Sequence, residues 1–87
     1  MSVMRHILQR HRKSTLYDGV SKFGTNSVKK MNKLIHEAVN SGKIDSATKS
    51  ITKTFTKNIG SNTDGVATKT IKVFFDDKGW VRTAFPI

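Results

Sequence analysis

The stretch that most constrains this fold is the last twenty residues, Thr68 to Ile87. It reads Thr-Lys-Thr-Ile-Lys-Val-Phe-Phe-Asp-Asp-Lys-Gly-Trp-Val-Arg-Thr-Ala-Phe-Pro-Ile. Two runs rich in β-branched and aromatic residues flank Asp76-Asp77-Lys78-Gly79, turn formers that end in a glycine able to take positive φ. The pattern predicts a β-hairpin. In its first run Ile71, Val73 and Phe75 share one face and Thr70, Lys72 and Phe74 the other. In its second, Val81, Thr83, Phe85 and Ile87 alternate with Trp80, Arg82, Ala84 and Pro86. One face is apolar enough to wall a core. The other is expected to carry Lys72 and Arg82, with Lys69 near the start of the first strand.

A wall needs something packed on it, and the rest of the chain supplies helices. Val28, Met31, Leu34, Ile35, Ala38 and Val39 recur at helical spacing. Ser27 before them is a suitable N-cap and Gly42 a stop, which predicts a helix from Val28 to about Asn40. A shorter helix is predicted over Val3–His11, where Met4, Ile7, Leu8 and His11 form a stripe and His6 and Arg10 are neighbours on an adjoining face. Ser14–Asn26, with Gly19 and Gly24, reads as loop. From Lys43 to Ile59 the period changes. Ile51, Phe55 and Ile59 fall on one side, and Thr52, Thr54 and Thr56 on the other, which argues for a strand, with Ile44 beginning a shorter one before it. Gly60–Gly65 is a turn cluster. Segregated helices followed by sequential strands give an α+β class: two N-terminal helices packed on an antiparallel sheet of three to four strands that ends in the C-terminal hairpin. At 87 residues, one domain is expected to span 1–87.

Charge narrows the choice of partner. Sixteen Lys+Arg stand against six Asp+Glu, a formal net charge of +10. A field of that sign favours nucleic acid, anionic lipid or an acidic protein. Lys29, Lys30 and Lys33 crowd the first two turns of the long helix, where cations oppose the helix dipole; solvation of a charged face is the ordinary reason. Without cysteine there is no disulfide or thiolate site, and the redox compartment stays open. No apolar run approaches the length of a membrane span. The start has no signal-peptide core, so the expectation is a cytosolic protein or a piece of a longer chain that supplied its export signal.

The residues that could carry chemistry are cations, imidazoles and hydroxyls. His6 and His11 are five apart, not at the one-face spacing of a zinc helix, and no metal or other cofactor is expected. Asp76 and Asp77 sit in a turn, the ordinary place for Asp. RNA cleavage by transphosphorylation needs no metal. A base takes the 2′-hydroxyl proton, an acid protonates the leaving 5′-oxygen, and cations and hydroxyls stabilise the charge growing on phosphorus. His6, Arg10, His11, Lys22, Thr68, Arg82 and Thr83 are the available groups, and Trp80 is an aromatic surface on which a base could stack. Each also has a plainer reading. His11 lies on the apolar stripe, Thr83 alternates with Val81 and Phe85 as a sheet threonine would, and Trp80 could cover the end of the core. His36 sits among polar helix positions and reads as surface.

The opening His6-Ile7-Leu8-Gln9-Arg10-His11 and the later Ser21-Lys22-Phe23 resemble the start of toxin domains found at the C-termini of bacterial polymorphic and contact-dependent growth inhibition toxins. The ending Thr68-Lys69-Thr70-Ile71-Lys72-Val73, Asp77-Lys78-Gly79 and Val81-Arg82-Thr83-Ala84-Phe85-Pro86 is similar to the last hairpin of barnase–EndoU–colicin–RelE type ribonuclease toxins. The resemblance implies metal-independent cleavage of RNA, often tRNA, and a cognate immunity protein that blocks the active site. It also implies delivery by a larger secreted effector, with action in the target-cell cytoplasm. Carried over, it nominates His6 or His11 as acid or base and Arg10 with Lys22 as a phosphate clamp. Thr68 or Thr83 would donate a hydrogen bond to the scissile phosphate. Lys69, Lys72, Arg82 and Trp80 are the expected substrate-binding residues. The sequence departs from the pattern in a Thr- and Lys-rich Ser46–Asn58 and in offering only Tyr17 where such toxins can use a tyrosine.

The alternative is a non-catalytic basic module that binds nucleic acid through its charge alone. A basic subunit that only pairs with an acidic protein is a third reading. Membrane-surface binding is the weakest, since neither helix is long or strongly apolar.

Overall fold

A computed structural model describes residues 21–87. The expected first helix, with His6, Arg10 and His11, lies outside the described residues, as does Tyr17. Within them the fold is α+β: one helix, α1 (Val28–Ser41), packed on antiparallel strands.

α1 forms where capping and periodicity agree. The Ser27 hydroxyl accepts the Lys30 N–H at 3.3 Å, and the Gly42 N–H closes the last turn on the Ala38 carbonyl at 2.7 Å. Met31, Ile35 and Ala38 are buried on the stripe; Val28 and Val39, at its edges, are exposed. No described helix is long and apolar enough to cross a membrane.

The strands are β1 (Lys22–Phe23), β2 (Lys43–Asp45), β3 (Ser50–Thr54), β4 (Gly60–Ser61), β5 (Ala67–Thr68), β6 (Thr70–Phe75) and β7 (Val81–Pro86). They make a four-stranded sheet in the order β2-β3-β6-β7 and a small one in the order β1-β4-β5. The two are halves of one ribbon: β3 runs on into β4, β5 runs on into β6, and the tip closes through the Asn62–Val66 turn. Asn62 Oδ1 holds that turn by accepting the Asp64 and Val66 N–H groups at 3.0 and 3.1 Å.

The ribbon is interrupted once. Thr54 stands opposite Thr70 and Gly60 opposite Thr68, so one strand takes six residue steps where its partner takes two. The four surplus residues belong to a looping segment, 55–58. Its ends are pinned by Phe55 N–H to Lys69 O at 2.8 Å and Ile59 N–H to Thr68 O at 2.9 Å. The strand expected to carry Ile51, Phe55 and Ile59 is therefore corrected: it breaks after Thr54, and the chain re-enters a sheet at Gly60, inside the expected turn cluster. Lys22 and Phe23, expected in a loop, form a strand because Gly60 lets β4 come against them.

The core lies between α1 and one face of the large sheet. It comprises Phe23, Met31, Ile35, Ala38, Ile51, Ile59, Ile71, Val73 and Ala84, with Leu34, Phe55, Phe75 and Val81 packed around it. Each larger aliphatic or aromatic side chain buried there contributes about 1.5–3 kcal/mol of hydrophobic stabilisation. The terminal hairpin turns through Asp76–Gly79 as expected, with Gly79 at φ 83° and the Gly79 N–H on the Asp76 carbonyl at 3.0 Å. Its second strand is not regular. Phe74 faces Thr83 but Phe75 faces Val81, which leaves Arg82 as the extra residue of a β-bulge. The bulge resets the alternation, so Val81 packs against the same core as Ala84. Arg82 does not join the row of Lys72, as simple alternation expected; it is exposed at the bulge.

Gly60 is where β4 meets β1 with no room for a side chain. A β-carbon there would lie 1.9 Å from the Lys22 carbonyl oxygen and 2.9 Å from the Phe23 Cα, both backbone. Gly60→Ala is expected to cost about 2–3 kcal/mol by forcing β1 from β4, a fall in Tm of roughly 10 °C or more for a domain this size. At Gly24 the same methyl would sit 3.5 Å from its nearest neighbour, the Ile59 carbonyl. Gly24→Ala should stay within about 0.5 kcal/mol of the parent. Thermal melts of the two variants followed by circular dichroism check the contrast.

Candidate nucleic-acid interface

The sheet face turned away from α1 carries the polar chemistry. Pairing places Lys43, Thr52, Lys72 and Phe85 in one row across the four strands. Asp45, Ser50, Phe74 and Thr83 form the next. Thr54 and Thr70 close this face beyond the first row, their hydroxyls 3.0 Å apart.

Within these rows the cation is held rather than loose. Lys72 Nζ sits 5.2 Å from the centroid of the Phe74 ring, two residues along the same strand. Phe74 leans on Phe85, with ring centroids 5.8 Å apart and planes tilted by 33°. The ammonium thus lies against one ring of an aromatic pair. In the next row, opposite Phe74, the Thr83 hydroxyl oxygen is buried with no hydrogen-bond partner among the described residues. Ser50, across Phe74 from Thr83, is also buried, but its hydroxyl is satisfied by Thr48 Oγ1 at 2.7 Å. An unpartnered buried hydroxyl costs about 1–3 kcal/mol, so Thr83 is a polar group that the described fold leaves without compensation.

The carboxylates nearest this face are turned to other work. Asp45 Oδ1 accepts the Ala47 N–H at 3.0 Å, and Asp76 Oδ1 accepts the Lys78 and Trp80 N–H groups at 2.9 and 3.0 Å. Asp77 pairs with Lys49. The charged side chains of the two rows are Lys43 and Lys72 in the first and Asp45 in the second. Such a surface can take a phosphate and lay a base against a ring. It can stabilise charge on phosphorus. Among the described residues it has no histidine; the one described histidine, His36, is exposed on α1 as expected.

The other expected site residues are dispersed. Thr68 is in β5, and its hydroxyl donates to the Ile87 carbonyl at 2.5 Å while accepting the Thr70 N–H at 3.2 Å. That hydroxyl ties the chain end to the ribbon. Lys22 is half-buried in β1, which lies against β7, and it lines a recess with Asn58, Gly60 and Ser61. Lys69 is exposed between β5 and β6. Trp80 is 71% exposed just beyond the hairpin turn, so it does not cover the core. The structure thus puts Lys72 and Thr83 on one sheet face, while the Thr68 hydroxyl is engaged with Ile87. His6, Arg10 and His11 are outside the described residues. Sequence reasoning missed Phe74, Phe85, Ser50 and Lys43. Phe74 was within reach, because a residue two beyond Lys72 on a strand shares its face. The other three are brought in by pairing partners that spacing along the chain does not reveal.

The two threonines are expected to behave oppositely when made isosteric and apolar. Thr83→Val removes the uncompensated hydroxyl and should raise stability by about 1 kcal/mol. Thr68→Val breaks the tie to Ile87 and should lower it by about 1 kcal/mol. Urea titrations of both variants measure the sign directly.

No family model, no curated protein and no solved structure matches this chain.

Proposed function

We propose that this chain is a ribonuclease toxin domain that cleaves RNA, with tRNA the leading substrate class, by metal-independent transphosphorylation. The observation that carries this reading is the Thr83 hydroxyl, buried and unpartnered among the described residues, on the same sheet face as Lys72, whose ammonium lies against the Phe74 ring. A hydroxyl donor and an ammonium on one sheet face are parts from which an oxyanion site is built. The toxin resemblance of the opening and closing motifs points to the same chemistry.

In this reading the scissile phosphate lies over Lys72, and the Thr83 side chain rotates to bring its buried hydroxyl out as a hydrogen-bond donor to it. Thr83 takes this role over Thr68, whose proton is already donated to Ile87. His6 or His11 removes the 2′-hydroxyl proton. The 2′-oxygen attacks phosphorus, the bond to the 5′-oxygen breaks, and the other imidazole returns a proton to that oxygen. The products are a 2′,3′-cyclic phosphate and a 5′-hydroxyl. Arg10 and Lys22 clamp the phosphate backbone, and Lys69, Arg82 and Trp80 hold flanking nucleotides. An acidic immunity protein would cover the same cationic rows. Delivery by a larger secreted effector, with action in a target-cell cytoplasm, follows from the resemblance.

The second reading, a basic binding module, is favoured by one observation: the described residues of this face include no histidine. The two readings separate in one assay. Purified protein incubated with total tRNA in excess EDTA is expected to yield fragments ending in 2′,3′-cyclic phosphate; salt-sensitive binding with intact RNA would leave only the module. Replacing His6 and His11 by Ala, one at a time, should slow cleavage about 10²–10⁴-fold at each essential imidazole. Two fully active variants would remove the acid–base assignment. Lys72→Gln and Thr83→Val should each slow cleavage by about 10²-fold with folding retained.

A further inference from the structure

A second cationic site lies on the other side of the sheet, between α1 and the looping segment 55–58. It is a groove of about 530 Å³. Lys30 and Lys33 reach it from the helix and Lys57 from the segment. Among the described residues none of the three has an ion pair. Thr25 and Asn58 add uncharged hydrogen-bonding groups, and Leu34 and Phe55 form part of an apolar lining. Glu37 is the single acid in the groove.

Three features mark this as more than a solvated face. The lysines converge on one concavity from two separate elements. The first turn of α1 contains no acidic residue, so its positive dipole end adds to the lysines instead of being neutralised. Finally, the segment that supplies Lys57 exists only because the ribbon carries four surplus residues there, which loop out of the ladder register between the Phe55 and Ile59 pins. Self-repulsion of this arrangement is relieved by a bound anion.

We propose that this groove binds the phosphate backbone of single-stranded RNA as a second contact, remote from the sheet face, and so sets how the substrate is held. This rests on the reading of the chain as an RNA-acting domain. Lysine ammoniums suit a phosphate chain because they are point charges on flexible stems and tolerate the uneven spacing of an unpaired strand. The apolar lining gives riboses or bases a surface to lie on.

The test uses a 2′-O-methyl RNA oligonucleotide, which cannot be cleaved, and measures its affinity for the 87-residue chain from 0.05 to 1 M salt. Two charge-matched variants are compared: Lys33→Gln with Lys57→Gln in the groove, and Lys29→Gln with Lys78→Gln outside it. The groove pair should lower the slope of log affinity against log salt by about 1.4, since each phosphate contact on a single strand contributes about 0.7. That is about a 25-fold loss at 0.1 M relative to 1 M salt. The outside pair should leave the slope within about 0.3 of the parent. Equal losses in both pairs, or none in the groove pair, would overturn the groove while leaving RNA binding intact. A groove pair that loses polyglutamate binding but keeps its RNA slope would show an acidic-protein dock and also overturn it. If the parent itself shows no salt-dependent RNA affinity, the RNA reading fails first, and the groove proposal with it.

Discussion

The molecule depends on one packed seam: Met31, Ile35 and Ala38 of α1 against Ile51, Ile71, Val73 and Ala84 of the central strands. All seven are buried, and Met31, Ala38, Ile71, Val73 and Ala84 have no exposed surface at all. In so short a chain, few other contacts are available to offset the entropy of ordering it. The seam also decides orientation. Once one face of the sheet is committed to the helix, Lys72, Phe74, Thr83 and Phe85 are committed to the other. The polar chemistry of the sheet is thus a by-product of where its apolar residues must go.

Two irregularities modify this plan, and both bear on binding. The bulge at Arg82 lets Val81 pack with Ala84, and in doing so removes Arg82 from the ladder and exposes it. The looping segment at 55–58 carries Lys57 out of the ribbon toward the cations of α1. Between them stands the sheet face with its one uncompensated hydroxyl. A regular hairpin of the same composition would have neither an exposed arginine at that bulge nor a groove beside the helix. Irregular pairing is tolerated here because the seam is continuous without it.

Much of the fold was legible in local pattern. The helix, its Ser27 cap and Gly42 stop, the short strand at Ile44 and the terminal hairpin all follow from neighbours a few residues apart. The strand at Lys22–Phe23 was not legible, because its partner is at Gly60 and its reason is the missing β-carbon there. The site was legible in part. Lys72 and Thr83 stood out by residue type and strand position. Thr68 looked equivalent to Thr83 in the sequence, yet one hydroxyl is tied to Ile87 and the other is buried without a partner.

By itself, then, the sequence determined the α+β class, the principal elements and the strong cationic bias, since alternation, capping and charge are local or summed properties of the chain. Tertiary structure alone decided which face Lys72 shares with which aromatic rings, which threonine keeps a free hydroxyl, and where Lys30, Lys33 and Lys57 meet. The physical reason is register. A shift of one residue in a β-ladder exchanges the two faces of a strand, and that shift is set by contacts between segments far apart along the chain.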